Sequence, residues 1–245
     1  MNRTGTGFRT AGIAALGFAA LLLAGCGAAA GQAAGGGACV AGKAATGTNA
    51  NIPQEPASGV ATIAGKCWAK IGGTAITTAV IGSAPSGTSS TWKAAWTPKA
   101  LYIWTHVHTG RKLINSNTAS PWEDDSVEVY LSGTNDQSGS YVAGTGQILI
   151  NSGGLTNSSF GTDHSQLPTA GATELEATTK GGYSTLLIMP WSDLGAAAKA
   201  KTQIGFTIGV DFPGSGATKR HGQTMWLGTN KNYQSDTGWG TLTLA

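Results

Sequence analysis

The chain has 245 residues, of which only 11% are charged, and a net charge of +3. Without Arg3 and Arg9 at its start, the 15 basic residues fall to 13 against 12 acidic ones, a net charge of +1. That near-neutrality favours neither nucleic acid nor an anionic membrane surface as partner.

The first segment reads as a leader. Arg3 and Arg9 precede an apolar run from Ala11 to Ala24, which Leu23-Ala24-Gly25-Cys26 closes. The run is too short and wrongly flanked for a membrane-spanning helix and has the layout of a secretion signal over 1–25. Its end resembles the bacterial lipobox, which implies lipidation of Cys26 and an exported domain anchored at the cell surface or the periplasmic face. Cleavage after Ala28-Ala-Ala30, which would discard Cys26, is the alternative. Residues 26–56 are rich in Gly, Ala, Thr and Asn and read as a flexible tether. About 190 residues remain, 57–245, enough for one well-buried domain. Cys39 and Cys67 suit a disulfide, as a cysteine pair in an exported chain usually does.

Short strands bounded by Gly, Pro, Asn and Ser follow. They are expected at Gly59–Ala64, Thr74–Ile81, Thr91–Trp96, Leu101–Val107, Ser126–Leu131, Tyr141–Asn151, Thr173–Thr179, Tyr183–Met189, Ile204–Phe212, Thr224–Leu227 and Gly240–Leu244. A single helical signal runs from Ser192 to Lys201. The pattern predicts an all-β fold, an antiparallel, jelly-roll-like β-sandwich of about ten strands in two sheets.

Alternation orients the side chains. Leu101, Ile103 and Val107 face the core, with Tyr102, Trp104, His106 and His108 opposite. Val127, Val129 and Leu131 face the core as well, so Glu128 falls on an open sheet face beside Tyr130. His106 and His108 share a face without a third metal ligand in spacing. The Asp124-Asp125 cluster at a strand start suits calcium or a solvated turn. A glycosidase needs two carboxylates facing each other across a sugar, and no second partner for Glu128 is evident. A haem-b electron-transfer sandwich is a further alternative, with Met189, Met225, His106, His108 and His221 as available ligands.

A loop-borne Trp beside a strand-borne carboxylate suits a sugar: the ring covers the apolar C–H face and the acid takes hydroxyl hydrogen bonds. The segments that carry this pattern are Asn115-Ser-Asn, Pro121-Trp-Glu-Asp-Asp-Ser-Val-Glu128, Gly182-Tyr183 with Pro190-Trp191, Ile204–Asp211, Trp226 and Trp239-Gly240. Together they resemble family-9 carbohydrate-binding modules, the β-sandwiches attached to bacterial xylanases, from about residue 60 onward. The resemblance implies a non-catalytic domain that takes chain ends of glucan or xylan, with calcium bound near Asp124 and Asp125. It places the two aromatic walls on Trp122 and Tyr233, the hydroxyl-binding acid on Glu128 and a loop amide on Asn230. Tyr130, Gln147 and Asn151 are secondary candidates. The expected partner is an oligo- or polysaccharide and the expected state a monomer.

The chain departs from that family in four places. A sugar-binding Arg falls on Leu149, a Gln on Gly209 and an acid on Leu186, and an Asn-Asp pair reads Asp211-Phe212. The insertion Thr118-Ala-Ser120 precedes the Trp wall.

Overall fold

The computed structural model describes residues 37–115, 120–152, 165–214 and 219–245. The leader, Cys26 and the first part of the tether lie outside the described residues. Two sheets pack face to face. The larger has seven strands in the order β1 (Asn49–Ile52), β12 (Gly240–Leu244), β10 (Gln203–Pro213), β11 (Arg220–Met225), β3 (Thr78–Ile81), with β6 (Ser126–Ser132) and β7 (Thr145–Asn151) on the other side of β10. The smaller has five: β2 (Thr74–Ala75), β4 (Ser89–Trp96), β5 (Ala100–His108), β9 (Gly182–Pro190) and β8 (Thr173–Thr179). All pairs are antiparallel except β1 with β12. The expected all-β sandwich is what forms.

Its core follows the predicted alternation. Leu101, Ile103 and Val107 of β5 meet Val127, Val129 and Leu131 of β6 and Phe206, Ile208 and Val210 of β10 in one buried cluster. Trp92 sits edge-on against both Phe206 and Trp226, each 4.8 Å away between ring centres, so aromatic contacts knit one sheet to the other. The outer face of the five-stranded sheet carries a second cluster, in which Val60, Cys67 and Trp68 cover Tyr102 and Leu186.

Four expectations need correction. Residues 37–56 are not a tether: Asn49–Ile52 pairs with Thr241–Leu244, and Ala50 and Ile52 enter the core. Two Asn, one Ala and one Ile carry too little pattern to announce a strand, and burial against β12 decides it. The segment 59–64 is not a strand. A single helical turn, α1 (Ala57–Val60), starts after Pro56, and the Trp68 indole then donates to the Thr62 carbonyl. The run 74–81 divides between the sheets, with β2 on β4 and β3 on β11, and buried Ile76 fills the crossing between them. The helix expected over 192–201 is only α2 (Trp191–Leu194), because Gly195 at φ 66° terminates it.

Cys39 and Cys67 are joined by a disulfide. Beside it, both oxygens of the buried Glu55 carboxylate accept from the Val40 amide.

Candidate functional site

The candidate site lies on the face of the seven-stranded sheet turned away from the core. Alternation fixes which side chains stand there. The core takes Val127, Val129, Ile148, Ile150, Ile208 and Val210, so Glu128, Tyr130, Gln147, Leu149, Gly209 and Asp211 occupy the opposite face. Across the strands, Leu149, Glu128, Gly209 and Met225 form one row, and Gln147, Tyr130 and Thr207 the next.

Two loops complete it. A single 3-10 turn, Pro121–Glu123, presents Trp122 immediately before β6. The loop between β11 and β12 carries Asn230 and Tyr233. It leaves the sheet where β10 changes partners: Gly209–Pro213 pair with β11, and Gln203–Phe206 with β12. The Thr207 hydroxyl holds the loop's start, donating to the Leu227 carbonyl and accepting from the Leu227 amide. Asn232 folds the loop on itself, its Oδ1 accepting from Thr229 N–H and its Nδ2 donating to Leu227 O. Gly228, at φ 89°, packs so closely on the Asn232 amide that a Cβ there would stand 2.3 Å from Oδ1.

The result is a cavity of about 250 Å³ lined by Trp122, Glu128, Tyr130, Gln147, Leu149, Arg220, Gln223, Asn230 and Tyr233. All four principal sequence candidates line it, and so do Tyr130 and Gln147. Asn151 does not. Its amide is 3.4 Å from both Asn115 Oδ1 and Asp124 Oδ2. Trp239 is buried as an anchor behind the site, 5.5 Å from the Tyr130 ring and 5.7 Å from the Tyr141 ring.

Sequence reasoning missed Arg220 and Gln223, which arrive from β11, and misjudged Glu128. That residue faces away from the core as expected but is only 2% exposed. Its Oε1 accepts from Arg220 Nη1 at 3.1 Å, and its Oε2 accepts a short hydrogen bond from the Tyr130 hydroxyl. The same Arg220 Nη1 donates to Asp211 Oδ1 at 3.0 Å, and Ser126 Oγ donates to Asp211 Oδ2. Glu128 and Asp211 therefore share one nitrogen side by side, rather than flanking a slot as paired hydrolytic carboxylates do. At Gly209, where the resemblance places a Gln, a Cβ would lie 2.3 Å from Met225 Sδ, so the thioether fills the space a longer side chain would need.

The acidic cluster separates into two settings. Asp125 forms a bidentate ion pair with Arg111, at 2.7 and 2.8 Å, and accepts from the Ile114 amide. A guanidinium already occupies both oxygens, so Asp125 does not fit a calcium site. Asp124 is fully buried, its Oδ2 3.4 Å from the Asn151 amide nitrogen, and at the end of β7 Asn151 Oδ1 and Ser152 Oγ are buried oxygens with no hydrogen-bond partner among the described residues.

His106 Nδ1 lies 3.0 Å from Ser184 Oγ, and its ring stacks 6.0 Å from Trp104, which suits a wet sheet face. Among the described residues the single cluster of metal-ligating groups is Cys39, Glu55 and Cys67, whose sulfurs are spent in the disulfide. Met189 and Met225 are fully buried, and no histidine lines the cavity.

Burial raises the pKa of three carboxyls. Asp211 is pushed well above 3.8, chiefly by burial and by the adjacent Glu128 charge; Asp125 and Glu55 are raised mainly by burial. A carboxyl that binds its proton more tightly folded than unfolded stabilises the fold at low pH, and that contribution is lost as pH rises through the folded pKa. The thermal midpoint is therefore expected to be higher near about pH 5 than near about pH 7.5, measured by scanning calorimetry. A midpoint that falls steadily on acidification across that range would contradict the assignment.

An antiparallel sandwich with an aromatic- and amide-lined cavity on one outer sheet face is the build of a saccharide-recognition module. The chain belongs to the family described as "Carbohydrate family 9 binding domain-like", which matches residues 61–245. It is 31% identical over 178 residues to the exoglucanase XynX of Acetivibrio thermocellus and 30% identical over 178 residues to the endo-1,4-beta-xylanase A of Thermoanaerobacterium saccharolyticum. Each match covers 72% of this chain but only 15% and 14% of those enzymes. The fold is shared with a family-9 module from Caldicellulosiruptor kristjanssonii solved in complex with cellotriose, with a TM-score of 0.68 and 20% identity over 80% of this chain and 93% of that one.

Proposed function

We propose that the chain is a non-catalytic module that holds the end of a β-linked glucan or xylan chain in the cavity between Trp122 and Tyr233. The observation that carries this reading is the convergence of Trp122, Glu128, Asn230 and Tyr233, from three separate segments, on one cavity. A pocket of about 250 Å³ has room for a sugar ring or two rather than a long stretch of polymer, which supports recognition of chain ends. The aromatic rings take the apolar C–H faces of the pyranose, while Gln147, Gln223 and Asn230 offer amide donors and acceptors to its hydroxyls. The kinship with xylanase- and exoglucanase-borne domains supports a role in polysaccharide breakdown by tethering, and the leader supports an exported, lipid-anchored location through Cys26.

Isothermal titration with cellotriose and xylotriose tests the reading. Saturable binding to either supports it; no heat with either, at millimolar sugar, sinks it.

Calcium is an accessory to this reading. Asp124, Asn151 and Ser152 offer the hard oxygen donors that Ca²⁺ prefers, and a bound ion would tie the start of β6 to the end of β7 beneath the Trp122 turn. Chelation with EDTA is then expected to lower the thermal midpoint by several degrees, with recovery on adding calcium but not sodium. An unchanged midpoint counts against the ion.

A further inference from the structure

The polar centre of the cavity does not match its sequence expectation. Leu149 stands where the resemblance places an arginine, and the expected hydroxyl-binding acid, Glu128, is 2% exposed with both oxygens engaged. A guanidinium is nonetheless present, entering from a different strand.

A β-bulge brings it there. Gln223 pairs with Asp211 and lines the cavity, so strict alternation along β11 would turn His221 toward the cavity and Arg220 away from it. The register shifts between Phe212 and Pro213. Phe212 pairs with Gly222 and Pro213 with Arg220, which leaves His221 without a partner on β10. One extra residue on one strand reverses the facing of everything beyond it. His221 is accordingly exposed, and Arg220 joins Gln223 on the cavity side. The neighbouring chain requires glycines to allow this: a Cβ on Gly222 would lie 2.3 Å from the Ser83 carbonyl oxygen, and one on Gly82 would lie 2.1 Å from that of His221.

The guanidinium is held and yet has donors to spare. Nη1 serves both Glu128 and Asp211. Nη2 and Nε make no hydrogen bond among the described residues, and the side chain keeps 23% of its surface exposed, against 3% for Glu128. The two carboxyls are thus spent on fixing the arginine. The face still able to meet a ligand is the guanidinium edge.

We propose that Arg220 is the sugar-contacting charged group of this cavity, donating from Nη2 and Nε to neighbouring hydroxyl oxygens of the bound pyranose, and that Glu128 acts as a positioning residue for it. This rests on the saccharide reading above. Its counter-charges offset the arginine locally, so the pocket favours a neutral sugar with vicinal hydroxyls over a uronic acid. Leu149 lies in the row beside Glu128 and offers that part of the ring an apolar contact in place of a second cation.

Titration of wild type, Arg220→Lys and Glu128→Gln with cellotriose, with xylotriose and with glucuronic acid tests the assignment, with the thermal midpoint of each variant measured alongside. Arg220→Lys keeps a cation for Glu128 and Asp211 but loses the planar fork. It is expected to weaken binding of the neutral sugar at least about tenfold with its midpoint within a few degrees of wild type, and to do so more than Glu128→Gln. Glucuronic acid is expected to bind more weakly than either neutral oligosaccharide. The proposal is overturned if Arg220→Lys binds within about twofold of wild type, or if Glu128→Gln loses more affinity than Arg220→Lys while both remain folded. Wild-type protein that binds neither neutral oligosaccharide would fail the saccharide reading itself, an outcome separate from those two.

Discussion

Trp122→Ala is expected to cost ~2 kcal/mol of saccharide affinity, about thirtyfold, without unfolding the domain. Truncating an aromatic anchor in a small cavity removes both the apolar area it covers on the ligand and the shielding it gives to the hydrogen bonds beside it. The fold is expected to tolerate the change because Trp122 is half-exposed in a short 3-10 turn and belongs to none of the buried clusters. Tyr233→Ala is expected to act in the same direction with a smaller loss. Its ring presents less apolar surface, and the Lys231 ammonium lies 6.0 Å from its centre, which leaves one side of the ring in a polar setting. Calorimetric titration with cellotriose measures both losses and circular dichroism verifies folding. Trp122→Ala binding as wild type does would remove the aromatic wall from the mechanism.

Removing the disulfide acts on stability and leaves binding alone. Cys39 and Cys67 are 28 residues apart, and freeing a loop of that length costs ~3–4 kcal/mol in the chain-entropy account. Cys39→Ala/Cys67→Ala is the suitable variant, since it introduces no polar atom at the fully buried position 67. The denaturation midpoint should fall while the cellotriose affinity stays within about twofold, because the bridge and the cavity lie on different sheets. A folded double variant with strongly reduced affinity would reveal a coupling across the sandwich. No such coupling follows from the packing.

The two sets of expectations differ in how local their causes are. The strands expected at 91–96, 101–107, 126–131 and 204–212 were legible because a side chain's facing on a strand depends on parity alone. The two aromatic walls were legible for a different reason. Trp122 and Tyr233 stand in polar loops, and the family resemblance falls on both; Tyr233 also packs against the cluster of Tyr130, Met225 and Trp239. Gly222 was the available clue to Arg220, since a glycine inside a strand pattern marks a bulge or a close backbone approach.

Sequence by itself determined the class of fold, the faces of β5 and β6 and the pairing of Cys39 with Cys67. These follow from periodicity, turn chemistry and composition, which act over a few residues. Only the tertiary structure decided that Asn49–Ile52 is a strand, that 74–81 serves two sheets and that Glu128 is enclosed rather than open. It alone brought Arg220 to the place left apolar by Leu149. The physical reason is the same in each case: pairing with a distant strand, or one unpaired residue in a ladder, sets burial and direction, and neither is encoded in the residue's immediate neighbours.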